Sequence, residues 1–500
     1  MPRGPVFFLP FTIALAWASS TVAQSAVAQG AKPAPSNAPT AAARTRPSPA
    51  PRVVDAVATL GDWVKSIGGT ASVRVSEADT GSVWAELEPT LPLNPASNMK
   101  VLTAATTLAR LGSEYRFSTG LYGEIDAGKV DPLVLRGQGD PSLATADLWS
   151  LARALRNLGV SQVGNIQVDQ SRFDDQFVPP AFEQQPNEWA GFRAPVSAIA
   201  LERNAVTLHV LPTRAGQAAR AWFDPPGVVS IDGSIETQRP GSREAIQLSM
   251  EPRPDALVGH IGGHVAEGLP RMRFDRRMDD PRRAPGLALA SILADAGVRV
   301  QGTVALGGES VKQRLVFHES EPLSQLLVEL GKNSDNFYAE MLFKALGGEM
   351  GTAPAKSQDG ARAVLAWLGE LGLAAADLRI ENGSGLFDSN RVSAKTLTGV
   401  LEAVYRNPAL YPEFLAQLAI GGVDGTLRNR FRKLSPKRSV RAKTGTLSAA
   451  IALSGYALAS NGKAPITFSF LINQIEGHAG EARQKIDQVV EAIVRSRAEK

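Results

Sequence analysis

The sequence predicts an α+β protein, an antiparallel sheet flanked by helices and interrupted by an inserted β-rich segment. Three observations carry this. Residues 53–114 mix one amphipathic helix, one hairpin and a second strong helix. The same mixture returns over 286–500. Between them, 115–285 holds short alternating runs punctuated by Gly and Pro, the pattern of strands and turns.

The elements follow in order. Val53 to Ile67 has helical spacing. Ala71–Val75 and Val83–Leu87 alternate around Asp79-Thr80-Gly81, which predicts a β-hairpin. Ser97 opens a helix with Val101, Ala105 and Leu108 on one face, ended by Gly112. In the insert, Leu133–Leu135, Ala205–Val210 and Ala245–Leu248 are predicted strands. Helical patterns resume at Leu287–Ala296, Leu323–Leu330 and Phe337–Leu346. Ser439–Ala442, Ala450–Leu458 and Ile466–Ile472 are predicted strands, the last two joined across Asn461-Gly462, a tight-turn signal. A closing helix puts Ile486, Val489, Val490 and Ile493 on one face.

The N-terminus reads separately. Arg3 precedes an apolar run of 13 residues, Val6–Ala18, and Ala26-Val27-Ala28 has the form of a cleavage site. The run is short for a bilayer span and right for a signal peptide, so residues 1–28 are expected to be a signal peptide. Residues 29–52 hold six prolines and no acid, the composition of a linker. The expected organisation is a catalytic domain of 53–114 and 286–500 around the insert 115–285. No other stretch predicts a transmembrane anchor, so the expected product is exported, to the periplasm.

Composition narrows the chemistry. The formal net charge is +4, from 53 basic and 49 acidic residues interspersed along the chain. That is too weak a bias to argue for nucleic acid. The chain has no cysteine, which excludes disulfides and thiolate chemistry. His260 and His264 are four apart, but Gly262 and Gly263 weaken the helix that a metal pair would need. No cofactor or metal is expected, and oligomeric state is not legible.

Three motifs carry the chemistry: Ser97-Asn98-Met99-Lys100, Ser334-Asp335-Asn336 and Lys443-Thr444-Gly445-Thr446. Ser97 and Lys100 share a helix face one turn apart. A serine hydroxyl needs a nearby base, and a lysine serves only when burial or a second cation lowers its pKa. Lys443 is a candidate for that cation. Each motif has a plainer reading: Ser97 as a helix cap after Pro95, Ser334-Asp335-Asn336 as the cap of the next helix, Lys443 on an edge strand. The first pattern even recurs at Ser460–Lys463, on a predicted turn. Gly445 mid-strand favours function, because it is costly unless something approaches the backbone closely. The three together, in order and on the expected elements, point to an active-site serine.

On these motifs the chain resembles the D-alanyl-D-alanine carboxypeptidase/endopeptidase family, the class C low-molecular-mass penicillin-binding proteins. The 237 positions from Ser97 to Ser334 leave room for the domains that this family inserts there. Further similar stretches are Gly139–Leu143, Ser171–Asp175, Pro195–Asn204, Glu381–Leu386 and Gly422–Leu427. The resemblance implies a β-lactamase/transpeptidase-like catalytic domain. It implies Ser97 as acylated nucleophile, Lys100 as its base, and Ser334 as a proton relay to the leaving amine. Asn336 would bind Lys100 and the substrate amide. Lys443 would supply positive potential, Thr444 and Thr446 would grip the terminal carboxylate, and the N–H groups of Ser97 and Thr446 would hold the oxyanion. Gly445 belongs to the same substrate-binding strand. Peptidoglycan stem peptides are the implied substrate and β-lactams the implied covalent inhibitors. Glu188 is the candidate acid for a diaminopimelate amine, and Phe192 an apolar wall. After Ser384-Gly385-Leu386, where the family usually places an arginine, this chain has Phe387-Asp388 and then Arg391.

Two rivals differ in kind. A class A β-lactamase needs an E-x-x-L-N loop, and Glu370-Leu371-Gly372-Leu373-Ala374 lacks its asparagine. A catalytically silent wall-binding module has no need of intact motifs.

Overall fold

The fold comes from a computed structural model that describes residues 51–185, 189–253, 257–351, 353–459 and 462–498. The expected signal peptide and nearly all of the expected linker lie outside these residues. So do Glu188, Ser460 and Asn461.

Six antiparallel strands form the central sheet, in the order Ala419–Ile420, Val440–Thr446, Ala450–Ala457, Ile466–Asn473, Thr70–Glu77, Val83–Leu87. Residues from both ends of the chain thus pair side by side. Alternation decides which face each residue serves. Ala71, Val73 and Val75, with Phe468, Phe470 and Ile472, join the core beneath the helices Pro51–Ser66 and Ala479–Ala498. The intervening Arg74 and Ser76 turn to the other face, where both bind Glu402 of the helix Ala394–Tyr405 (2.5 and 2.6 Å).

That other face carries the helices that hold the site. The helix that follows Ser97, Met99–Leu111, is buried over Met99 to Leu108. Leu323–Lys332 and Asn336–Glu349 pack beside it in one core.

The insert builds four further sheets and a second core. The expected strands are present at Leu133–Gly137, Ala205–Leu211 and Ala245–Pro252. The insert is less purely β than its sequence suggests, since the helix Thr145–Asn157 is part of its core. Nor does the packing stop at 285. Helix Ala284–Asp295 joins this second core, and strands Val304–Leu306 and Arg314–Glu319 complete its five-stranded sheet. Their apolar periodicity matched the catalytic part, but shared burial is what assigns a segment to a core. His260 and His264 lie on the strand Leu257–Ala266, and His260 bridges Asp232 and Glu251 at 2.9 Å each.

One buried ion pair ties insert to catalytic helix. Lys344, fully buried in the helix Asn336–Glu349, pairs with Asp174 at 2.5 Å and donates to the Gln176 carbonyl at 2.9 Å. Burial pushes the Lys344 pKa down, while Asp174 opposes the shift. Asp174→Asn would leave the ammonium without its countercharge. A loss of about 3 kcal/mol is expected, read as a lower Tm in thermal unfolding.

No helix among the described residues is long and apolar enough to cross a membrane.

Candidate active site

Ser97 sits at the start of its helix, in a turn that only tertiary contacts explain. Ala96–Asn98 is a short 3-10 turn leading into Met99–Leu111. Ala96 holds a left-handed φ of +46°. Two further residues of the site do the same: Phe387, in the segment that meets this turn, at +66°, and Ser334, which accepts from Lys443, at +58°. Left-handed backbone is unfavourable for residues with a side chain, and such strain clusters at functional sites. Gly385, at φ +72°, passes so close that an added Cβ would lie 1.9 Å from the Ala96 carbonyl. Gly445 is the second close approach, its added Cβ falling 3.0 Å from the Pro95 carbonyl. A glycine is needed in the strand because the turn that carries Ser97 rests against it.

Lys100 is the centre of the polar cluster. It is fully buried, and its Nζ lies 3.1 Å from Ser97 Oγ, 2.7 Å from Asn336 Oδ1 and 2.8 Å from the Ser384 carbonyl. Burial lowers its pKa from 10.5 to about 7, with Glu340 and Asp335 pushing the other way. The geometry adds a constraint. Two of the three neighbours, a carbonyl and a carboxamide oxygen, can only accept. A neutral amine has two N–H groups, and these two acceptors take both. Its lone pair is left facing the Ser97 hydroxyl, as a general base requires.

The second cation lies beyond. Lys443, buried in the strand Val440–Thr446, donates to Ser334 Oγ at 2.7 Å and to the Thr444 carbonyl at 2.9 Å. Burial lowers its pKa well below the usual lysine value, and the charge of Lys100 adds to the shift. For Lys100 itself burial leads, so desolvation does what the sequence reading offered to a neighbouring cation. Nor is the Lys443 strand an edge, since it lies between Ala419–Ile420 and Ala450–Ala457. Thr444 and Thr446 share its opposite, more exposed side, and Thr444 Oγ1 donates to Thr426 Oγ1 at 2.8 Å.

The Ser334–Asn336 loop serves both readings at once. Asp335 caps its helix, accepting from the Tyr338 N–H at 3.0 Å. That cap fixes Asn336 at the first turn, where Oδ1 reaches Lys100 and Nδ2 donates to the Phe192 carbonyl at 3.4 Å.

Glu340 went unnoticed in the sequence. It is buried one turn after Asn336, and its two oxygens accept from the backbone N–H groups of Gly383 (3.1 Å) and Ser384 (2.8 Å). It thereby fixes the carbonyl that Lys100 binds. An acid four residues after a motif asparagine, inside the apolar run Phe337–Phe343, was the available signal.

A groove of about 680 Å³ opens beside Ser384-Gly385-Leu386, lined by Leu386, Asp388, Arg391, Leu447 and Phe192 among others. Phe192 is 46% exposed. Arg391 lies in this groove although it is not next to the motif; its Nη1 is 2.5 Å from Asp388 Oδ1 and holds that carboxyl below its ordinary pKa. Glu370, the nearest approach to a β-lactamase acid, instead pairs with Arg110 at the far end of the helix Met99–Leu111. That is about 15 Å from Lys100 by helical rise.

Residues 56–494 match the model of the D-Ala-D-Ala carboxypeptidase 3 (S13) family. A D-alanyl-D-alanine carboxypeptidase of Actinomadura sp. (strain R39) is 31% identical over 444 residues, covering 85% of this chain and 80% of that protein. The crystal structure of penicillin binding protein 4 from Haemophilus influenzae aligns with a TM-score of 0.71 at 25% identity, over 87% of this chain and 98% of that one. The same protein complexed with a β-lactam aligns with a TM-score of 0.68 at 25% identity, over the same shares.

Proposed function

The chain belongs to the D-Ala-D-Ala carboxypeptidase 3 (S13) family of serine-type peptidases, and from that premise we propose that Ser97 is its acylated nucleophile and Lys100 the base. The observation that carries the assignment is the buried Lys100 amine, whose two N–H groups are claimed by Asn336 and Ser384 while its lone pair faces Ser97.

The steps follow from the side chains. Lys100 takes the Ser97 proton as Oγ attacks the D-Ala carbonyl carbon. The N–H groups of Ser97 and Thr446 receive the oxyanion. As the C–N bond breaks, the leaving amine takes a proton through Ser334, which Lys443 holds by its 2.7 Å hydrogen bond. Thr444 and Thr446 bind the terminal carboxylate under the positive potential of Lys443. Asn336 holds the substrate amide, and Phe192 walls the acyl side. Water then hydrolyses the Ser97 ester. A β-lactam enters by the same path and stalls, because its leaving group stays tethered.

The substrate class places the reaction outside the cytoplasmic membrane, so the chain is an exported enzyme; the apolar run at Val6–Ala18 supports the periplasm as its compartment. The acyl-side groove, with Asp388 beside Arg391, presents both charges to the residue before D-Ala.

Digestion of purified peptidoglycan with mass spectrometry of the products tests the reading. Release of D-Ala or cleavage of D-Ala crosslinks is expected. Neither product, or rapid nitrocefin turnover in place of a long-lived acyl-enzyme, would overturn it.

A further inference from the structure

The balanced composition hides one exception. Arg428–Lys443 holds eight of the chain's 53 bases and none of its 49 acids. The whole chain is +4, so everything outside this segment is −4. No acid occurs anywhere from Gly425 to Ile475. Solubility asks only for both signs interspersed; here one sign is collected.

Folding keeps these charges together and outside. Phe431 and Leu434 are buried in the core beneath the terminal helices and pin the segment to the sheet. Arg432 Nε donates to the Arg428 carbonyl at 3.1 Å. Two carboxylates reach its cations, and each is outnumbered. Asp487 faces both Arg430, 3.0 Å away, and Arg483. Asp424 faces both Lys332, 2.6 Å away, and Arg441. A positive excess therefore remains with both acids fully charged. Arg428, Arg432, Lys433, Lys437 and Arg438 are exposed, and none of them has an ion pair among the described residues. Arg441, half-buried below them, registers the crowding: burial lowers its pKa and the Arg438 charge lowers it further.

The segment starts at the rim of the site. Thr426 accepts from Thr444 at 2.8 Å, and Arg428 is two residues on, at most about 7 Å of chain. From there the cationic surface runs away from Gly445, toward Val440, about 13 Å from Thr444 along the strand. Peptidoglycan is a polymer, and every stem peptide other than the one being cut still carries free carboxylates. A bilayer is the other anionic surface that an exported protein meets. Phe431 and Leu434 are buried, so Arg428–Arg438 has no large apolar side chain to insert there. We propose that the exposed face of Arg428–Arg438 is a second binding surface for peptidoglycan, taking carboxylates of stem peptides that are not being cleaved. It would hold the enzyme on the wall between cuts. The proposal rests on the peptidase reading above and concerns retention, not the bond that is cut.

The test uses the full chain acylated by benzylpenicillin. The drug fills the Ser97 site, so cosedimentation with purified sacculi, stripped of attached polymers, reads binding elsewhere. The parent is expected to bind at low ionic strength and to be released by salt. Arg432→Gln/Lys433→Gln/Lys437→Gln/Arg438→Gln should bind about tenfold more weakly. Before acylation it should cleave a soluble pentapeptide within about twofold of the parent, because these exposed charges are screened from Ser97. Arg432→Lys/Arg438→Lys should keep its binding, because charge is what is read. Sacculi with amidated carboxylates should not retain the parent. An acylated parent that stays in solution, equal binding by the Gln variant, or binding that survives amidation would overturn the surface. So would a preference for phosphatidylglycerol vesicles over sacculi. An equal fall in pentapeptide cleavage would also overturn it, by placing the defect in the Lys443 strand. A parent that benzylpenicillin does not acylate overturns the Ser97 reading instead.

Discussion

Ser97→Ala and Lys100→Met are each expected to lower acylation by fluorescent penicillin by about 10⁴-fold or more, and the double variant no further. Nucleophile and base act in one step, so losing either forfeits the same transition state. Parent labelling with no labelling in Ser97→Ala also excludes a silent wall-binding module. The two variants should differ in stability from what their activities suggest. Lys100 is a fully buried amine whose pKa is lowered to about 7, mainly by burial. Its replacement by an apolar chain relieves that desolvation but leaves the Asn336 Oδ1 and Ser384 carbonyl acceptors without their donor, at about 1–3 kcal/mol each. Lys100→Met should therefore fold with a Tm lowered by several degrees while being inert. A folded Lys100→Met that still labels at a rate near the parent's would mean that Lys100 holds the turn in place and is not its base.

The parent's pH profile follows from the same group. Only the neutral amine accepts the Ser97 proton. Below pH 7 the protonated fraction dominates, so the acylation rate should rise about tenfold per pH unit there and level off above about 7. A profile whose limb lies near the ordinary lysine value would contradict the burial that defines the site.

Much of this was legible because the relevant residues carry their own signals. The hairpin at Thr70–Leu87 and the strand Ile466–Asn473 alternate cleanly, since one face meets aliphatic helices and the other meets polar groups. The three motifs were legible as side chains at fixed spacing. The helix Ala394–Tyr405 was not anticipated, and the reason is physical. It is buried nearly all round, and its core positions include the polar letters Thr398 and Glu402. Burial of Thr398 and Glu402 is tolerable because Arg74 and Ser76 bind them, partners more than three hundred residues away in sequence. The Ser384 carbonyl was equally invisible, because backbone groups have no letter of their own.

The family-like stretches gain a common meaning in three dimensions. Ser171–Asp175 anchors Lys344 through Asp174. Pro195–Asn204 brings Arg203 to Asp335. Glu381–Leu386 presents the Ser384 carbonyl to Lys100. Gly422–Leu427 sets Thr426 against Thr444. Three of these four contacts reach a motif residue directly, and the fourth ties down the helix that begins at Asn336. They are joints, where Gly, Asn and Asp meet the backbone demands of tight turns.

Glu340→Gln is the variant that separates bracing from chemistry. The carboxylate is fully buried, burial pushes its pKa up, and the N–H groups of Gly383 and Ser384 that bind its two oxygens pull it down. A carboxamide keeps one acceptor and turns the other into a donor facing a donor. The expected cost is about 2–4 kcal/mol of stability, seen as a lower Tm. Loosening Gly383-Ser384 also frees the carbonyl that claims one N–H of Lys100, so the acylation plateau should fall by about tenfold. The decisive readout is the position of the acid limb. Glu340 raises the Lys100 pKa against the effect of burial, so removing its charge must lower that pKa further. The limb should move to lower pH even as the plateau drops. A brace without electrostatic reach to Lys100 would lower the plateau and leave the limb in place, and that result would confine Glu340 to a purely structural part in holding the Ser384 carbonyl.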